Sequence, residues 1–144
     1  MPETFRLTVL SPVRSLLDES VESVVAPGSE GYLGILANHA PLITALIPGK
    51  LTVRFPREAT GSENVGTRIY ALSGGFLEVS HNHAVILADA LEDPRTIDVE
   101  RAKRASERAR DRLREGNSRW DVERAEAALR RALNRIRLAS EPPL

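Results

Sequence analysis

The segment from Glu92 to Ala102 separates two parts of the chain that differ sharply in composition. The 91 residues before it contain eight of the nine glycines and 15 charged side chains. The 53 residues from Glu92 onward contain 25 charged side chains and one glycine. A glycine-rich part and a charged, glycine-poor part need different folds, so the sequence predicts two domains, residues 1–91 and 92–144.

The same segment carries the signals that begin a helix. Pro94 disfavours helical backbone at the residue before it, and Thr96 can cap the amides that follow. Asp98 and Glu100 place carboxylates in a first helical turn, where the helix dipole favours them. A helix is therefore predicted to begin at about Thr96 to Asp98.

Apolar and polar residues alternate with period two in the first part of the chain, which is typical of half-buried strands. The predicted strands cover about residues 5–9, 21–26, 42–47, 51–55, 68–72, 76–80 and 84–90. Turn signals separate several of them, at Pro27-Gly28, Pro48-Gly49 and Gly74-Gly75, and Pro56 to Gly66 reads as a polar hairpin tip. Short strands with no helix between them predict an antiparallel β-sandwich or barrel rather than a parallel sheet.

The second part of the chain shows helical periodicity. Apolar residues recur every three or four positions in two runs, at Ala102, Ala105, Ala109 and Leu113 and then at Val122, Ala125, Leu129, Ala132, Ile136 and Ala139. Gly116 suits a left-handed helix end, and Ser118 with Asp121 forms a capping-box pattern for the next helix. These features predict two antiparallel helices joined by a short turn.

Charge and composition exclude several classes of function. The 20 basic and 20 acidic residues leave no global field that would attract nucleic acid or an anionic membrane. Six basic against nine acidic residues give the first part a formal charge of −3, and 14 against 11 give the second part +3. There is no cysteine for a disulfide or thiolate site, no signal-peptide pattern at the start, and no apolar run of about 18 residues.

Three features of the first part could suggest chemistry, and each has a simpler explanation. His81-Asn82-His83 could contact a metal, but it lacks enough nearby carboxylates or thiolates to complete a ligand shell. Ser73 lacks the Gly-x-Ser-x-Gly pattern of an activated nucleophile, and a lone histidine such as His39 is more often structural. We therefore predict no catalytic residue and no metal site.

The hairpin geometry gathers charged residues near the start of its first helix. In an antiparallel pair that turns at Gly116-Asn117, residues whose numbers sum to about 233 lie level. That alignment sets Arg101 beside about Arg131 and Asp98 beside about Arg135. Either these three guanidiniums surround an anion such as a polyphosphate, or Asp98 and Arg135 form an ion pair with solvated neighbours. Geometry alone leaves both interpretations open.

Three passages resemble the epsilon subunit of bacterial F-type ATP synthases, which is called delta in mitochondria. They are Glu30 to Ile43 with its Gly-x-Leu-Gly-x-Leu-x-x-His-x-Pro-Leu pattern, Ser73 to Val79 with Ser-Gly-Gly-Phe, and Ile97 to Ala102 with Ile-Asp-x-x-Arg-Ala. The resemblance implies an α+β fold, an N-terminal antiparallel β-sandwich followed by a C-terminal antiparallel two-helix hairpin. It places His39 where the sandwich meets the rotor shaft.

The resemblance also implies a function. A subunit of this kind is not an enzyme in isolation; it joins the gamma subunit to the c-ring and couples proton transport to ATP synthesis. Its hairpin contacts the alpha and beta subunits when extended and inhibits ATP hydrolysis. It would lie on the cytoplasmic face of the bacterial inner membrane, reaching the membrane only through the complex. Tyr32 stands where many relatives carry an acidic residue, which puts a charged contact to the c-ring there in doubt.

Some relatives bind ATP as a regulatory ligand, and the residues of that motif match here position by position. They are Glu92, Ile97, Asp98, Arg101, Ala102, Arg131 and Arg135. The resemblance thus implies a nucleotide site on the hairpin. The alternative is a stand-alone nucleotide-sensing or helix-binding adaptor, which would not purify with an ATP synthase.

Overall fold

The computed structural model describes residues 3–57, 64–116 and 118–141. It divides into two compact units, one ending at Leu91 and the other beginning at Glu92. The first unit holds the strands and the second holds the helices, and the division falls where the composition of the sequence changes.

The first unit is built from one mixed sheet. The strands are β1 Phe5–Leu10, β2 Ser15–Val21, β3 Ser23–Gly28, β4 Gly31–Leu36, β5 Leu42–Phe55, β6 Gly66–Ser80 and β7 His83–Ala88, followed by a short β8, Leu91–Glu92, where the chain passes into the second unit. Along the sheet the order is β2-β1-β7-β6-β5-β3-β4. The sheet encloses a core to which all seven long strands contribute, from Phe5 on β1 to Ala88 on β7.

The prediction of an antiparallel sheet was wrong for one pair of strands. β1 and β7 run parallel, from Arg6 beside His83 to Leu10 beside Leu87, whereas the other pairs along the sheet are antiparallel. A parallel pair joins strands that are distant in sequence and needs no hairpin turn between them. Local alternation and turn signals therefore could not reveal it.

Two predicted turns lie inside long strands instead. Pro48-Gly49 is part of β5, where a side chain at position 49 would collide with Pro27 and with the Tyr32 hydroxyl 2.9 Å away. Gly74-Gly75 is part of β6, with φ angles of +102° and +145°. In both places glycine is required for close packing or for an unusual backbone within a strand, so the glycine signal was misread as a chain reversal.

The glycines of the Gly31 to Leu36 passage also lie in a strand. This segment is β4, which forms a hairpin with β3 and ends the sheet. Strand alternation sends Ile35 into the core and leaves Leu36 65% exposed. β2 was missed because Asp18, Glu19 and Ser20 interrupt its apolar pattern.

The second unit begins with a short 3-10 turn, Pro94–Thr96, followed by α1, Val99–Glu115, and α2, Arg119–Ser140. Asp98 is the residue that caps α1, and its side chain accepts a hydrogen bond from the Arg101 amide. Thr96 instead donates its hydroxyl proton to the Asp93 carbonyl, so its predicted capping role was wrong. The helix begins at Val99, one residue after the predicted range of Thr96 to Asp98.

The turn between the helices follows the predicted chemistry. Gly116 ends α1 in the left-handed conformation, with φ +57°. Ser118 caps α2: its side chain accepts from the Asp121 amide at 3.2 Å and donates to the Asp121 carboxylate at 2.8 Å. Position 117, and residues 58–63 of the predicted hairpin tip, lie outside the described residues.

Alanine dominates the buried faces of the hairpin. The buried residues are Ala102, Ser106 and Ala109 on α1 and Ala125, Ala132, Asn134 and Leu138 on α2. The small side chains let the two helices approach closely. Ala105 and Leu113, predicted to face inward, are only half-buried. Among the described residues, no helix is both long and apolar enough to cross a membrane.

Candidate functional site

The residues of the Ile-Asp-x-x-Arg-Ala motif form the first turn of α1 and the two residues before it. Ile97 is buried at the end of the 3-10 turn, and Ala102 is fully buried on the inner face of α1. One carboxylate oxygen of Asp98 accepts a hydrogen bond from the Arg101 amide, 3.0 Å away. The apolar members of the motif therefore hold the helix start in place, while Asp98 organises its free amides.

Glu92 and Arg135 are brought together from the two ends of the second unit. Arg135 donates from Nη2 to Glu92 Oε2 at 2.6 Å, and the two side chains are only 29% and 25% exposed. The Nε atom of Arg135 is buried and is the one such side-chain atom in the described part of the chain that has no hydrogen-bond partner. Arg135 thus retains a donor for an acceptor oxygen.

The alternative prediction, an ion pair between Asp98 and Arg135, was wrong. Arg135 pairs with Glu92, and Asp98 accepts from the start of α1. The level alignment of the helices did not account for Glu92. This residue belongs to the segment from Glu92 to Asp98 that precedes α1, which we call the linker. A carboxylate at a helix start satisfies otherwise unpaired amides, so Asp98 has a partner without Arg135.

Arg101 and Arg131 are both exposed, and neither forms an ion pair with another residue in the described ranges. The buried alanines at 102 and 109 on α1 and at 125 and 132 on α2 share a spacing of seven. An antiparallel pair can therefore set Ala102 level with Ala132, within about a turn of the predicted alignment. In that alignment Arg101 and Arg131, which form no ion pair with the described residues, would lie at about the same level of the hairpin.

These residues can bind an anion but hold no catalytic constellation. Exposed arginines and the buried donor of Arg135 suit phosphate oxygens, which accept charge-assisted hydrogen bonds. In the linker next to them, the Asp93 carboxylate raises the pKa of Arg95 by hydrogen bonding and by its charge. Sequence reasoning missed Ser106 and Asn134, polar residues on the buried helix faces; Asn134 accepts from Arg137 at 3.1 Å.

The features of the first unit that could suggest chemistry have structural roles. Ser73 is buried within β6, and its amide donates to the Ala90 carbonyl. His81 and Asn82 form the turn between β6 and β7, both with positive φ. His39 is half-buried, with Nδ1 2.7 Å from the Ala40 carbonyl. Within the described residues, no group of three His, Asp or Glu side chains could hold a metal ion.

The outer face of the sheet carries a set of apolar side chains. Ala45, Phe76, Leu87 and Leu10 are paired in that order across β5, β6, β7 and β1, and we call this set the apolar row. Phe76 is 59% exposed and Leu87 53% exposed. Adjacent exposed apolar residues of this size are typical of a surface that binds a partner. The register of the sheet was needed to find the row.

Two family models match almost the whole chain. Residues 4–94 match the beta-sandwich domain of the ATP synthase delta/epsilon chain, and residues 95–140 match the long alpha-helix domain of the same chain. Among solved structures, a chain of the Euglena gracilis mitochondrial ATP synthase assembly of OSCP, F1 and c-ring has a TM-score of 0.73 at 26% identity, over 93% of this chain and 80% of that one.

A second solved structure and two proteins of known sequence are also similar to this chain. A chain of the Tetrahymena thermophila mitochondrial ATP synthase central stalk and c-ring shares the fold, with a TM-score of 0.67 at 18% identity, over 96% of this chain and 98% of that one. The ATP synthase epsilon chain of Mesorhizobium japonicum is 48% identical over 54 residues, 38% of this chain, and that of Brucella canis is 45% identical over 62 residues, 43% of this chain. These matches span only 40% and 46% of the relatives' lengths. The family models, covering both units, show that the chain belongs to the ATP synthase delta/epsilon chain family.

Proposed function

We propose that this chain is the epsilon subunit of an F-type proton-translocating ATP synthase. It is a non-catalytic part of the central-stalk rotor that couples proton transport to ATP synthesis. The observation that carries the proposal is the match of both units, in order, to the two domains of one family. The structural match to a chain of a mitochondrial ATP synthase, over 93% of this chain, supports it.

The sandwich binds the gamma subunit and the c-ring in this proposal. The apolar row offers the gamma subunit an apolar surface. Phe76 and Leu87 lie at the centre of the row, and each side chain is more than half exposed. Because each side chain is only about half exposed, its burial against a partner contributes roughly half of the about 1.5 to 3 kcal/mol that a fully exposed side chain would give. Tyr32 would replace an acidic contact with the c-ring by an apolar one, since its ring is 55% exposed while its hydroxyl accepts from the Lys50 amide.

The helical hairpin regulates ATP hydrolysis. Its second helix exposes a series of basic side chains, Arg119, Arg124, Arg130, Arg131 and Arg137. In an extended state this surface would face the alpha and beta subunits, and acidic segments there would attract it. Folding the hairpin withdraws the same surface, so the position of α2 decides whether hydrolysis is inhibited.

ATP is the regulatory ligand that the hairpin residues suit. Arg101 and Arg131 are free of ion pairs within the described residues, and the Nε of Arg135 lacks an acceptor. A triphosphate supplies acceptor oxygens for all three. Glu92 and Asp98 would then face the base or ribose, with Ile97 and Ala102 as apolar supports. A ligand that binds only the folded hairpin stabilises it by mass action.

Purification from membranes tests the assembly. A tagged chain should be recovered from the cytoplasmic face of the bacterial inner membrane together with alpha, beta, gamma and c subunits. Phe76→Ser should reduce the recovery of gamma, whereas Val13→Ser, at a side chain 87% exposed and outside the apolar row, should not. Recovery of the wild-type chain without any of these subunits would contradict the proposal and favour a stand-alone adaptor.

A further inference from the structure

The ion pair between Glu92 and Arg135 differs from the other ion pairs of the second unit. In the described part of that unit, the others join residues two to four positions apart: Asp93 with Arg95, Glu100 with Lys103, Asp111 with Arg114, and Arg119 with Glu123. Glu92 and Arg135 are 43 residues apart. This pair ties the linker to the last part of α2.

Burial makes the pair more consequential than its neighbours. Arg119 and Glu123 are 94% and 55% exposed, so water screens their attraction and little stability depends on it. Glu92 and Arg135 are 25% and 29% exposed, and the bond between them is short and charge-assisted at 2.6 Å. Removing one partner leaves the other charge partly buried and unpaired, which costs more than the loss of a solvated pair.

Arg135 depends on Glu92 because its guanidinium is otherwise under-satisfied. Its Nε is buried without a partner in the described chain, so the bond from Nη2 to Glu92 offsets much of the cost of burying the group. α2 also contacts the 3-10 turn Pro94–Thr96, which begins two residues after Glu92. The linker and the end of α2 therefore meet where this ion pair joins them.

We infer that Glu92 and Arg135 form a latch that holds α2 in the folded hairpin without any nucleotide. Opening the hairpin requires this bond to break, while the local ion pairs within α1 and α2 can persist in either state. The latch sets the folded population on which a regulatory ligand acts. This consequence for regulation rests on the proposed function, whereas the latch itself is a property of the isolated chain.

Native-state hydrogen exchange of the full chain, without nucleotide, tests the latch. Arg135→Gln and Glu92→Gln should each raise the exchange rates of amides in α2 by about tenfold or more, as expected for the loss of a charge-assisted bond. The double variant should exchange no faster than the faster single variant, because the second change finds the pair already broken. Arg119→Gln removes an exposed pair from the same helix and should change these rates less than about twofold.

Amides of β5 and β6 serve as the internal control, since they report the fold of the first unit. The latch is overturned if Arg135→Gln leaves α2 exchange at the level of Arg119→Gln, or if the two glutamine substitutions act additively. If a variant also speeds the exchange of the strand amides, the wild-type chain is measured at about 1 M salt instead. If the latch exists, screening of the ion pair by salt must raise the exchange rates of the α2 amides selectively. A negative result in the hydrogen-exchange experiment would not alter the result of the purification from membranes. The latch and the proposed function can therefore be contradicted separately.

Discussion

The carboxylate of Asp18 lies 2.6 Å from the guanidinium of Arg6 on the neighbouring strand. Thr8 donates its hydroxyl proton to the same Asp18 oxygen at 3.0 Å, and His83 Nε2 lies 2.8 Å from the Thr8 hydroxyl. Since the single hydroxyl proton points to Asp18, the bond from His83 requires its Nε2 to carry hydrogen. β2, β1 and β7 are thereby joined across their outer face by one polar chain.

The chain of bonds around Asp18 predicts an acid-sensitive contribution to stability. Hydrogen bonds from Arg6 and then Thr8 are the main causes that lower the pKa of Asp18 from 3.8 to about 2. Because the folded protein binds this proton less readily than the unfolded chain, the contribution is present above about pH 4 and is lost as the pH falls toward 2. Urea titrations between pH 2 and 7 should show a smaller acid loss of unfolding free energy for Asp18→Asn.

The matched control for that titration is Glu30→Gln in the turn between β3 and β4. Glu30 is exposed and has no hydrogen bond or ion pair with the described residues. Its pH profile should follow that of the wild type. An Asp18→Asn profile that also follows the wild type would contradict the stabilising role of the Asp18 bonds.

Gly75 is predicted to be the most sensitive glycine of the sheet. Its φ is +145°, and a Cβ there would collide with the Leu87 carbonyl of the adjacent strand. Gly75→Ala should therefore lower the unfolding free energy by more than about 1 to 3 kcal/mol. Gly34→Ala is the control, because a Cβ at Gly34 in β4 meets nothing within 4 Å. Equal melting temperatures for the two variants would contradict this argument.

The sequence predicted the strands best where apolar residues alternate without interruption. Phe5 to Val9 and Leu51 to Phe55 lie where expected, whereas β2 was hidden by three consecutive polar residues that interrupt its apolar alternation. Glycines caused the remaining errors. Gly49 and Gly75 serve close packing between strands, which depends on partners that are far away in the sequence.

The hairpin was predicted more fully because its signals are local. Gly116 ends α1 and Ser118 caps α2 as predicted, through residues no more than four positions away, whereas the cap of α1 is Asp98 and not Thr96. The partner of Arg135 was mispredicted for the opposite reason: alignment of two ideal helices leaves out Glu92, which lies in the linker. A long-range ion pair depends on the path of the chain between elements, and periodicity does not encode that path.

Residues 1–91 should fold without the rest of the chain. The apolar core of the first unit is made of residues from Phe5 to Ala88. Because the hydrophobic contacts that drive folding are complete within this segment, the truncated chain should unfold in a single cooperative transition. Circular dichroism during thermal unfolding measures it. A broad, non-cooperative change would contradict the independence of the first unit.

Deletion of residues 118–144 should raise ATP hydrolysis by the assembled enzyme. The deletion removes α2 and its exposed arginines but leaves the sandwich core and the apolar row unchanged. Assembly should therefore persist while the inhibitory contact is lost. The difference should narrow as salt concentration rises, because screening weakens attraction between charged surfaces. Equal hydrolysis rates with and without these residues, at equal assembly, would remove α2 from regulation.

ATP should bind the isolated chain through the exposed arginines of the hairpin. Arg101→Ala and Arg131→Ala should each weaken binding by about 1.5 to 3 kcal/mol, or roughly 10- to 150-fold, because each removes a charge-assisted bond. Arg110→Ala, nine residues from Arg101 and so on the opposite side of α1, should leave the affinity unchanged. Calorimetric titration with ATP at millimolar concentration measures these differences.

Two substitutions of Asp98 distinguish a contact with the nucleotide from a purely structural role as the cap of α1. Asp98→Ala removes the side chain that accepts from the Arg101 amide and should cost about 0.5 to 2 kcal/mol of helix stability whether or not ATP binds. Asp98→Ser keeps a capping oxygen and loses the carboxylate, so its melting temperature should stay near that of the wild type while ATP affinity falls. Unchanged affinity in Asp98→Ser would limit Asp98 to capping. If ATP produces no heat of binding and no shift in the melting temperature of the wild-type chain, the arginines do not form an ATP site and are only a solvated surface.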